Sequence, residues 1–324
     1  MSDWGKGVNN DIGWGQGANN DIGWGSIYDK SNAGETLLSG SGFEGMLDLF
    51  PNGSFAASPR KLRANYADDS TTVRRDNSDQ LGIGFANNEL NEPELVTFAD
   101  GGDAFNVDFK DQTGNGRNFS ISTASEQPKI VSNGTVIKAN TKPTLSYDGT
   151  NDNLRCPAAD FVTPTDKLQV SVVVKNAKYN LSKNQYIIGQ YDTGQNQRSW
   201  AILMGDNQKV QINFGNPING NFEIAIRTLD AINPENLQSI GFTFNAGTVF
   251  IYLNGISVPF ETFGGNIPTS LYDSSVDVTI GCVLNNNVAV FLWEGDISEP
   301  YVADNLTDSI VEIQQNQMEY FNIN

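Results

Sequence analysis

The chain has 324 residues, 38 acidic and 20 basic side chains, a formal net charge of −18 and no histidine. The absence of imidazole excludes a Ser-His-Asp triad, a Cys-His pair and a histidine-ligated zinc site. The negative charge argues against a nucleic-acid partner and against an anionic membrane surface, because both need a basic face. Cys156 and Cys282 lie among apolar residues and are predicted to be buried free thiols. We expect neither a secretory signal peptide nor a membrane-spanning helix.

The first thirty residues carry a ten-residue repeat, in which two full copies are followed by a truncated third. Each copy begins with a Trp-Gly pair, at Trp4-Gly5, Trp14-Gly15 and Trp24-Gly25. A segment this rich in Gly and Asn has too few apolar residues to bury its own indoles. It is therefore either a flexible tail or an arm whose tryptophans fill pockets on a partner, as interface tryptophans commonly do.

The repeat, WGKGVNNDIGWGQGANNDIGWGSIY, resembles a leader found on virion proteins of tailed bacteriophages, ahead of varied C-terminal domains. The resemblance covers residues 1–28 and implies a docking peptide that binds other virion proteins, which would place the chain on the virion. Appendages of this kind are usually symmetric oligomers. We therefore expect a homo-oligomer, either a trimer or a dimer.

Residues 31–43 are rich in Gly and Ser and are predicted to be a linker between the arm, residues 1–30, and a single domain over residues 44–324. Leu62 and Tyr66 are four apart beside a basic run, which predicts a short helix within residues 55–66. Beyond residue 73 the pattern predicts strands. Six Asn-Gly or Asp-Gly pairs supply tight turns, at Asp100-Gly101, Asn115-Gly116, Asn133-Gly134, Asp148-Gly149, Asn219-Gly220 and Asn254-Gly255.

Short apolar or alternating runs separate these turns, and the clearest predicted hairpin joins residues 240–244 to residues 249–253. Many short strands with few helical patterns between them indicate an all-β, antiparallel β-sandwich. A C-terminal helix is predicted to begin at Thr307 as N-cap, with Asp308 in its first turn. Its predicted face consists of residues at helical spacing, namely Ile310, Ile313, Gln317, Tyr320 and Phe321.

Three segments resemble the concanavalin-like (laminin-G-like) superfamily of lectins and glucanases, in the order that the family has them. They are Lys142–Leu154, with its KPTLSYDGTNDNL sequence, Val249–Gly255 and Trp293–Tyr301. The resemblance implies a jelly-roll sandwich that ends in a short helix. The three segments can form this fold without a ligand, because Asp-Gly turns reverse strands and the apolar positions fill the core.

A second resemblance is to the N-terminal part of the α-L-arabinofuranosidase B catalytic domain, which is also a concanavalin-like sandwich. It is carried by Arg60–Tyr66, Val73–Arg75 and Asp111–Asn118, with Lys110 where the family has tyrosine. The family cleaves arabinose side chains with two carboxylates. Residues 155–239 depart from it, and the cysteine-rich stretch near its nucleophile is missing.

Glu294 and Asp296 are the candidate carboxylates for such a glycosidase, because alternate residues of a strand share one face of the sheet. Glu299 follows on the same segment. The same spacing is typical of an ordinary polar outer face, which is the interpretation that we favour.

Asp148, Asn151, Asp152 and Asn153 form a compact group of oxygen donors, the ligand type that Ca²⁺ prefers. A calcium site is one interpretation. The alternative, which we favour, is an Asx turn in which the same side chains accept backbone N–H groups. No other cofactor is expected.

Five basic residues are concentrated within 16 positions of an acidic chain, namely Arg60, Lys61, Arg63, Arg74 and Arg75. They predict a solvated helix face, an internal belt of ion pairs, or a contact with an acidic partner.

Two functions follow from the sequence. The leading hypothesis is a structural virion protein, a fibre, spike or decoration subunit, whose arm docks on the particle and whose sandwich adheres to a host-surface glycan. The alternative is an arabinofuranosidase-like glycoside hydrolase.

The docking hypothesis predicts that Trp14→Ala weakens incorporation into particles without changing the melting temperature of the sandwich. Burying one indole removes roughly 150–250 Å² from water, which is about 4–6 kcal/mol before entropy is deducted. Incorporation is measured by quantifying the chain in purified particles. Deleting residues 1–28 should abolish incorporation and leave a folded protein, and unfolding of the truncated chain would instead assign the arm to the core.

Overall fold

A computed structural model describes residues 43–76, 78–161, 166–177 and 183–324. The arm, and the linker up to residue 42, lie outside these residues. Three α-helices occur in the described part: α1 (Met46–Leu49), α2 (Glu92–Ala99) and α3 (Ile310–Phe321). None of the helices among the described residues is long and apolar enough to cross a membrane.

The described residues form mostly short strands. In chain order these are β1 (Phe55–Ala56), β2 (Thr71–Arg75), β3 (Gln80–Ile83), β4 (Phe85–Ala86), β5 (Glu89–Leu90), β6 (Ala104–Phe109), β7 (Phe119–Ser120), β8 (Lys129–Ser132), β9 (Thr135–Val136), β10 (Lys138–Ala139), β11 (Lys142–Pro143), β12 (Leu145–Asp148), β13 (Leu154–Cys156), β14 (Lys167–Asn176), β15 (Gln185–Asp192), β16 (Gln197–Met204), β17 (Val210–Gly215), β18 (Phe222–Thr228), β19 (Gln238–Asn245), β20 (Thr248–Leu253), β21 (Ile256–Val258), β22 (Phe260–Gly264), β23 (Val278–Ile280), β24 (Val283–Asn285), β25 (Val288–Val290) and β26 (Glu294–Ala303).

The strands pair into two antiparallel layers. The first layer has the order β3-β2-β6-β8-β12-β26-β14-β19-β20-β21. The second has the order β7-β13-β23-β15-β16-β17-β18-β22. Pairing of β6 with β7 joins the layers at one edge. This is the all-β sandwich that the sequence predicts.

Aromatic side chains from both layers meet in the core. Trp200 of β16 and Phe214 of β17 pack against Phe242 of β19, with ring centroids 6.1 and 5.9 Å apart. All three residues are fully buried. The inner faces of the two layers therefore pack against each other in one shared apolar core.

The predicted hairpin is confirmed, and five of the six predicted turns lie between strands, whereas Asp100-Gly101 follows helix α2. Strands β19 and β20 pair with Phe244 opposite Val249, as the sequence indicates. All six turn glycines have positive φ, the conformation that these Asn-Gly and Asp-Gly pairs were expected to supply, namely Gly101, Gly116, Gly134, Gly149, Gly220 and Gly255.

The predicted helix within residues 55–66 is wrong, because the segment begins with β1 and continues without a helix. Its backbone is bonded to a distant loop. The N–H of Leu62 donates to Oε1 of Gln112, and Nε2 of Gln112 donates to the carbonyls of Ser58 and Arg60. These bonds replace the i to i+4 bonds that a helix would need.

Helix α2 was not predicted, although its start carries a local signal. The side chain of Asn91 accepts the N–H of Glu94, and Pro93 lies in the first turn, where its missing N–H costs nothing. Leu95 and Ala99 are the buried residues of the helix. Eight residues with only two buried positions give a weak helical period.

The C-terminal helix is confirmed, but its N-cap is Ser309 rather than Thr307. Ser309 accepts the N–H of Glu312. Gln317, the polar member of the predicted face, is fully buried. Its Oε1 accepts both Ser171 and Ser239 hydroxyls. The helix therefore covers the outer face of β14 and β19 through a polar contact.

Both cysteines are buried free thiols, as predicted. Burial raises the pKa of each to about 12, which keeps them as unreactive thiols near neutral pH.

Glu299 is fully buried and forms an ion pair with Arg60. Its Oε1 lies 2.6 Å from Nη2 of Arg60, and its Oε2 accepts both Nε of Arg60 and the hydroxyl of Ser58. The pair ties the segment before β2 to the central strand β26. Glu299, which follows the candidate carboxylates in the sequence, thus has a structural partner.

We expect Glu299→Gln to lower the free energy of unfolding by about 3 kcal/mol, because Arg60 would be left buried with an uncompensated charge. Urea denaturation measures this loss. Lys138→Gln is the control, because the ion pair of Lys138 with Glu92 is over a third exposed on both sides and should contribute less than about 1 kcal/mol. Equal losses in the two variants would contradict the prediction.

Candidate functional site

A polar cleft of about 690 Å³ opens on the outer face of the first layer, where β12, β26 and β14 adjoin. This face is the outer one, because the residues that alternate with the cleft residues along the same strands, Leu145, Tyr147 and Ile297, point into the core. The loop after β18 closes one side. The lining residues include Ser146, Asp148, Lys175, Asn176, Asn233, Glu235, Asn236, Glu294 and Asp296.

The register of β12 against β26 brings two predicted sites into one. Asp148 lies opposite Glu294, and Ser146 lies opposite Asp296. The candidate calcium ligand and the candidate glycosidase carboxylates therefore share this cleft. Directly opposed carboxylates destabilise a sheet, which makes the Asp148–Glu294 pair a poor choice for an inert outer face.

Lys175 brings positive charge to the same face, because it lies opposite Asp296 on β14. Between the two carboxylates, Gly295 has φ +138°. A Cβ at Gly295 would lie 2.2 Å from the carbonyl oxygen of Lys175. Only glycine allows β14 and β26 to approach this closely, so Gly295 fixes the distance between Lys175 and the acidic side chains.

Asp296 is the carboxyl group of the cleft with the most altered acidity. Burial raises its pKa from 3.8 to about 6, and the opposing effects of Lys175 and of the Ser146 hydrogen bond are smaller. A carboxyl group of this kind exchanges a proton close to neutral pH, which is a property of binding and catalytic sites.

The predicted calcium ligands form the hydrogen bonds of an Asx turn. Oδ1 of Asp148 accepts the N–H groups of Thr150 and Asn151, and Oδ2 of Asp152 accepts the N–H of Asp148. Burial, followed by the charge of Asp148, raises the pKa of Asp152 to about 7. No group of three His, Cys, Asp or Glu side chains within the described ranges is arranged to hold a metal ion. Calcium binding at this turn stays a prediction.

Asn153, the fourth predicted oxygen donor, forms its side-chain hydrogen bonds with other residues. Its amide group donates to Glu126, and its Oδ1 accepts Nε of Arg155.

The Asp111–Asn118 segment, which carries the arabinofuranosidase resemblance, is a structural loop. The carboxylate of Asp111 accepts the N–H groups of Ala56, Thr113 and Arg117. Asp111 is 4% exposed. It anchors β1 to the loop and lines neither the cleft nor its margin.

Much of the basic cluster makes internal contacts rather than forming a helix face. Arg60 pairs with Glu299, Arg75 pairs with Asp79, and Arg63 donates to the carbonyl of Thr113. Arg74 donates to neutral groups only, namely Oε1 of Gln127 and the carbonyls of Arg75 and Ala124. The six Trp and Gly residues proposed for docking lie outside the described residues.

The solved structures that align with this chain include arabinofuranosidases. An arabinofuranosidase complexed with arabinofuranosyl-α-1,2-xylobiose aligns with a TM-score of 0.60 at 14% identity, over 84% of this chain and 64% of that chain. A GH54 α-L-arabinofuranosidase mutant soaked with 4-nitrophenyl α-L-arabinofuranoside aligns with a TM-score of 0.57 at 13% identity, over 82% and 62%. The chain thus spans less than two thirds of the length of either enzyme.

A more distant likeness is to the CBM40 domain of the Ruminococcus gnavus IT-sialidase bound to α2,3-sialyllactose, with a TM-score of 0.38 over 46% of this chain. No protein-family model matches the chain, and no curated protein matches it in sequence. At these identities the comparisons define the fold alone, a β-sandwich of the kind that the arabinofuranosidases have.

Sequence reasoning missed the side chains that come to the cleft from elsewhere in the chain. Lys175 lies near the end of β14, in none of the motifs that the sequence singled out, and Asn233 and Asn236 lie in a loop with no recognised motif. The Asn-Pro pair at residues 233–234 signalled a turn, but nothing local indicated that this turn would face β26.

The raised pKa of Asp296 predicts a pH-dependent cost to stability. Between about pH 4 and pH 6 the folded chain retains a proton that the unfolded chain has released, so the free energy of unfolding falls as the pH rises through that window. Asp296→Asn removes the charge, and we expect it to stabilise the protein by on the order of 2 kcal/mol at pH 8.

The stabilisation should shrink as the pH falls below 6 and vanish near pH 4. Urea denaturation at pH 8 and pH 4 measures it. Glu319→Gln, at an exposed carboxylate on α3, is the control and should change stability little at either pH. A variant Asp296→Asn that is less stable than the wild type at pH 8 would contradict the assignment.

Proposed function

We propose that the chain is a glycan-binding virion protein of a bacteriophage, which docks through residues 1–28 and binds a host-surface glycan in the cleft of β12, β26 and β14. The observation that carries the proposal is the cleft itself. Its carboxylates accept hydrogen bonds, Lys175 donates them, and the asparagine amides do both. Sugar hydroxyls also donate and accept, so each can be satisfied there.

An apolar ligand fits this cleft poorly. Covering Asp148, Glu294 and Asp296 with apolar surface would remove their water without replacing its hydrogen bonds, which costs several kcal/mol for a charged group. The cleft volume, about 690 Å³, lies in the range of small-ligand sites. A short oligosaccharide segment is the occupant that meets both constraints.

The virion part of the proposal rests on the repeated leader. Trp4, Trp14 and Trp24 recur at the same position of the repeat, which suits anchors that enter equivalent pockets on other virion proteins or on neighbouring copies. A trimer or a dimer would multiply weak glycan contacts, because linked sites bind with avidity.

A glycan array probed with the full chain tests the binding function. We expect binding to a subset of glycans, and for each of them Asp296→Asn and Glu294→Gln should weaken affinity at least tenfold, the loss expected for a hydrogen bond to a charged group. The control Glu319→Gln should bind like the wild type. Absence of binding across the array, or binding unaffected by both variants, would overturn the proposal.

A glycoside hydrolase is the second candidate, favoured by the fold that the chain shares with arabinofuranosidases and by Asp296, whose raised pKa suits an acid catalyst. Glu294 would be its partner. We expect no release of nitrophenol from 4-nitrophenyl α-L-arabinofuranoside. Release that is lost in both Glu294→Gln and Asp296→Asn, but not in Glu319→Gln, would replace the adhesion proposal with an enzyme.

A further inference from the structure

One row of side chains crosses six strands of the outer face. Strand register places each member directly opposite the next, which puts all of them on the same face of the sheet. The row consists of Arg74, Phe105, Lys129, Ser146, Asp296 and Lys175. At about 4.8 Å between neighbouring strands, it spans roughly 24 Å. The proposed glycan cleft occupies one end of the row, at Ser146, Asp296 and Lys175.

A second cleft, of about 530 Å³, occupies the other end of the row. Arg74, Phe105 and Lys129 line it, together with Gln127. Ser146 and Asp148 line both clefts, so the two are adjacent along β12.

Arg74 is the informative residue of the second cleft. It is 9% exposed, and its guanidinium donates only to neutral acceptors, namely Oε1 of Gln127 and the carbonyls of Arg75 and Ala124. These bonds use three of the five N–H donors of an arginine. Among the described residues it has no carboxylate partner within 4 Å.

A buried guanidinium without a counter-charge is costly, and proteins normally pair it. Arg60 illustrates the usual solution, because it is similarly buried and bonds the carboxylate of Glu299 at two nitrogens. Arg74 has the same chemistry without the anion. An anionic ligand group would complete it, and the planar guanidinium binds carboxylates and sulfates particularly well.

The surroundings of Arg74 suit a sugar that carries such a group. Its guanidinium carbon lies 4.6 Å from the ring centroid of Phe105, and Nζ of Lys129 lies 5.6 Å from the same centroid. Lys129 bonds Asp103 and is a third exposed, so it can still donate to a ligand. The partly exposed ring offers an apolar contact between two cations.

The acidic residues of the second cleft, Asp148 and Asp152, repel a bound anion only partly. Asp152 has a pKa of about 7, raised by burial and by Asp148, so it is partly protonated at neutral pH. Asp148 is held by two backbone N–H groups.

We propose that the second cleft binds the anionic group, a carboxylate or a sulfate, of an acidic sugar whose neighbouring sugars occupy the first cleft. The glycan is therefore an acidic one that lies along the row from Arg74 to Lys175. This inference rests on the proposed glycan-binding function.

Titration calorimetry of the full chain in about 0.15 M salt, where long-range repulsion by the acidic chain is screened, tests the inference. The probes are D-glucuronate, its methyl ester, glucose 6-sulfate and inorganic sulfate. We expect glucuronate or glucose 6-sulfate to bind at least tenfold more tightly than the neutral ester. The tighter of the two identifies the anionic group.

Variants assign the preference to the second cleft. Arg74→Lys keeps the charge but loses the planar fork, and Lys129→Met keeps an unbranched apolar stem without the charge. We expect each to reduce the preference for the anionic probe about tenfold. Lys209→Gln, at an ion pair with Glu261 on the other layer, should leave it unchanged. If Arg74→Lys does not fold, Lys129→Met carries the test.

Two results would overturn this inference without overturning the proposed function. The ester could bind as well as the acid, or inorganic sulfate could bind as well as both sugar anions, which would make the cleft an ion site without a sugar. In either case the proposed function still stands if the chain binds neutral glycans and if Asp296→Asn weakens that binding. If neither neutral nor acidic sugars bind the chain, both proposals fail together.

Discussion

The register of β26 between β12 and β14 is the constraint on which the rest of the structure depends. A shift by one residue would turn Glu294 and Asp296 into the core and Ile297 out of it. Gly295 holds the register, because any Cβ there would collide with the backbone of β14. The same strand carries the buried Glu299, whose ion pair with Arg60 attaches the segment before β2. One strand thus positions both the cleft and the edge of the layer that carries Arg74.

The two largely buried arginines of the first layer and its edge differ in their partners, and this difference indicates a function. Arg60 has its carboxylate and serves the fold, whereas Arg74 has neutral partners and faces a cleft. A chain with a net charge of −18 has ample carboxylates to pair with one arginine. Within the part of the chain that the structure describes Arg74 bonds none of them, and the ligand anion proposed for the second cleft would pair with it. Helix α3 covers the middle of β14 and part of β19, whereas the first cleft lies over the end of β14 together with β26 and β12.

Prediction from the sequence worked where the structure depends on local interactions, and it failed at two segments that are held by distant ones. The β19–β20 hairpin depends on period-two alternation and a tight turn, and both are local. The segment of residues 55–66 has helical spacing, yet the amide of Gln112 fixes its backbone from about fifty residues away. The N-cap moved from Thr307 to Ser309 because Asp308 bonds Asn52 instead of starting the helix. In each failure a distant partner outcompeted a local preference.

The sequence by itself determined the all-β sandwich, its turns, its C-terminal helix and its free thiols, because alternation and turn residues are written along the chain. It also offered Asp148 and the Glu294–Asp296 pair, but as two unrelated candidates. Only the tertiary structure decided that they share one cleft with Lys175, and that Arg74 bonds neutral groups among the described residues. Those facts depend on pairing between strands that are far apart in sequence, and no local pattern records which strands will become neighbours.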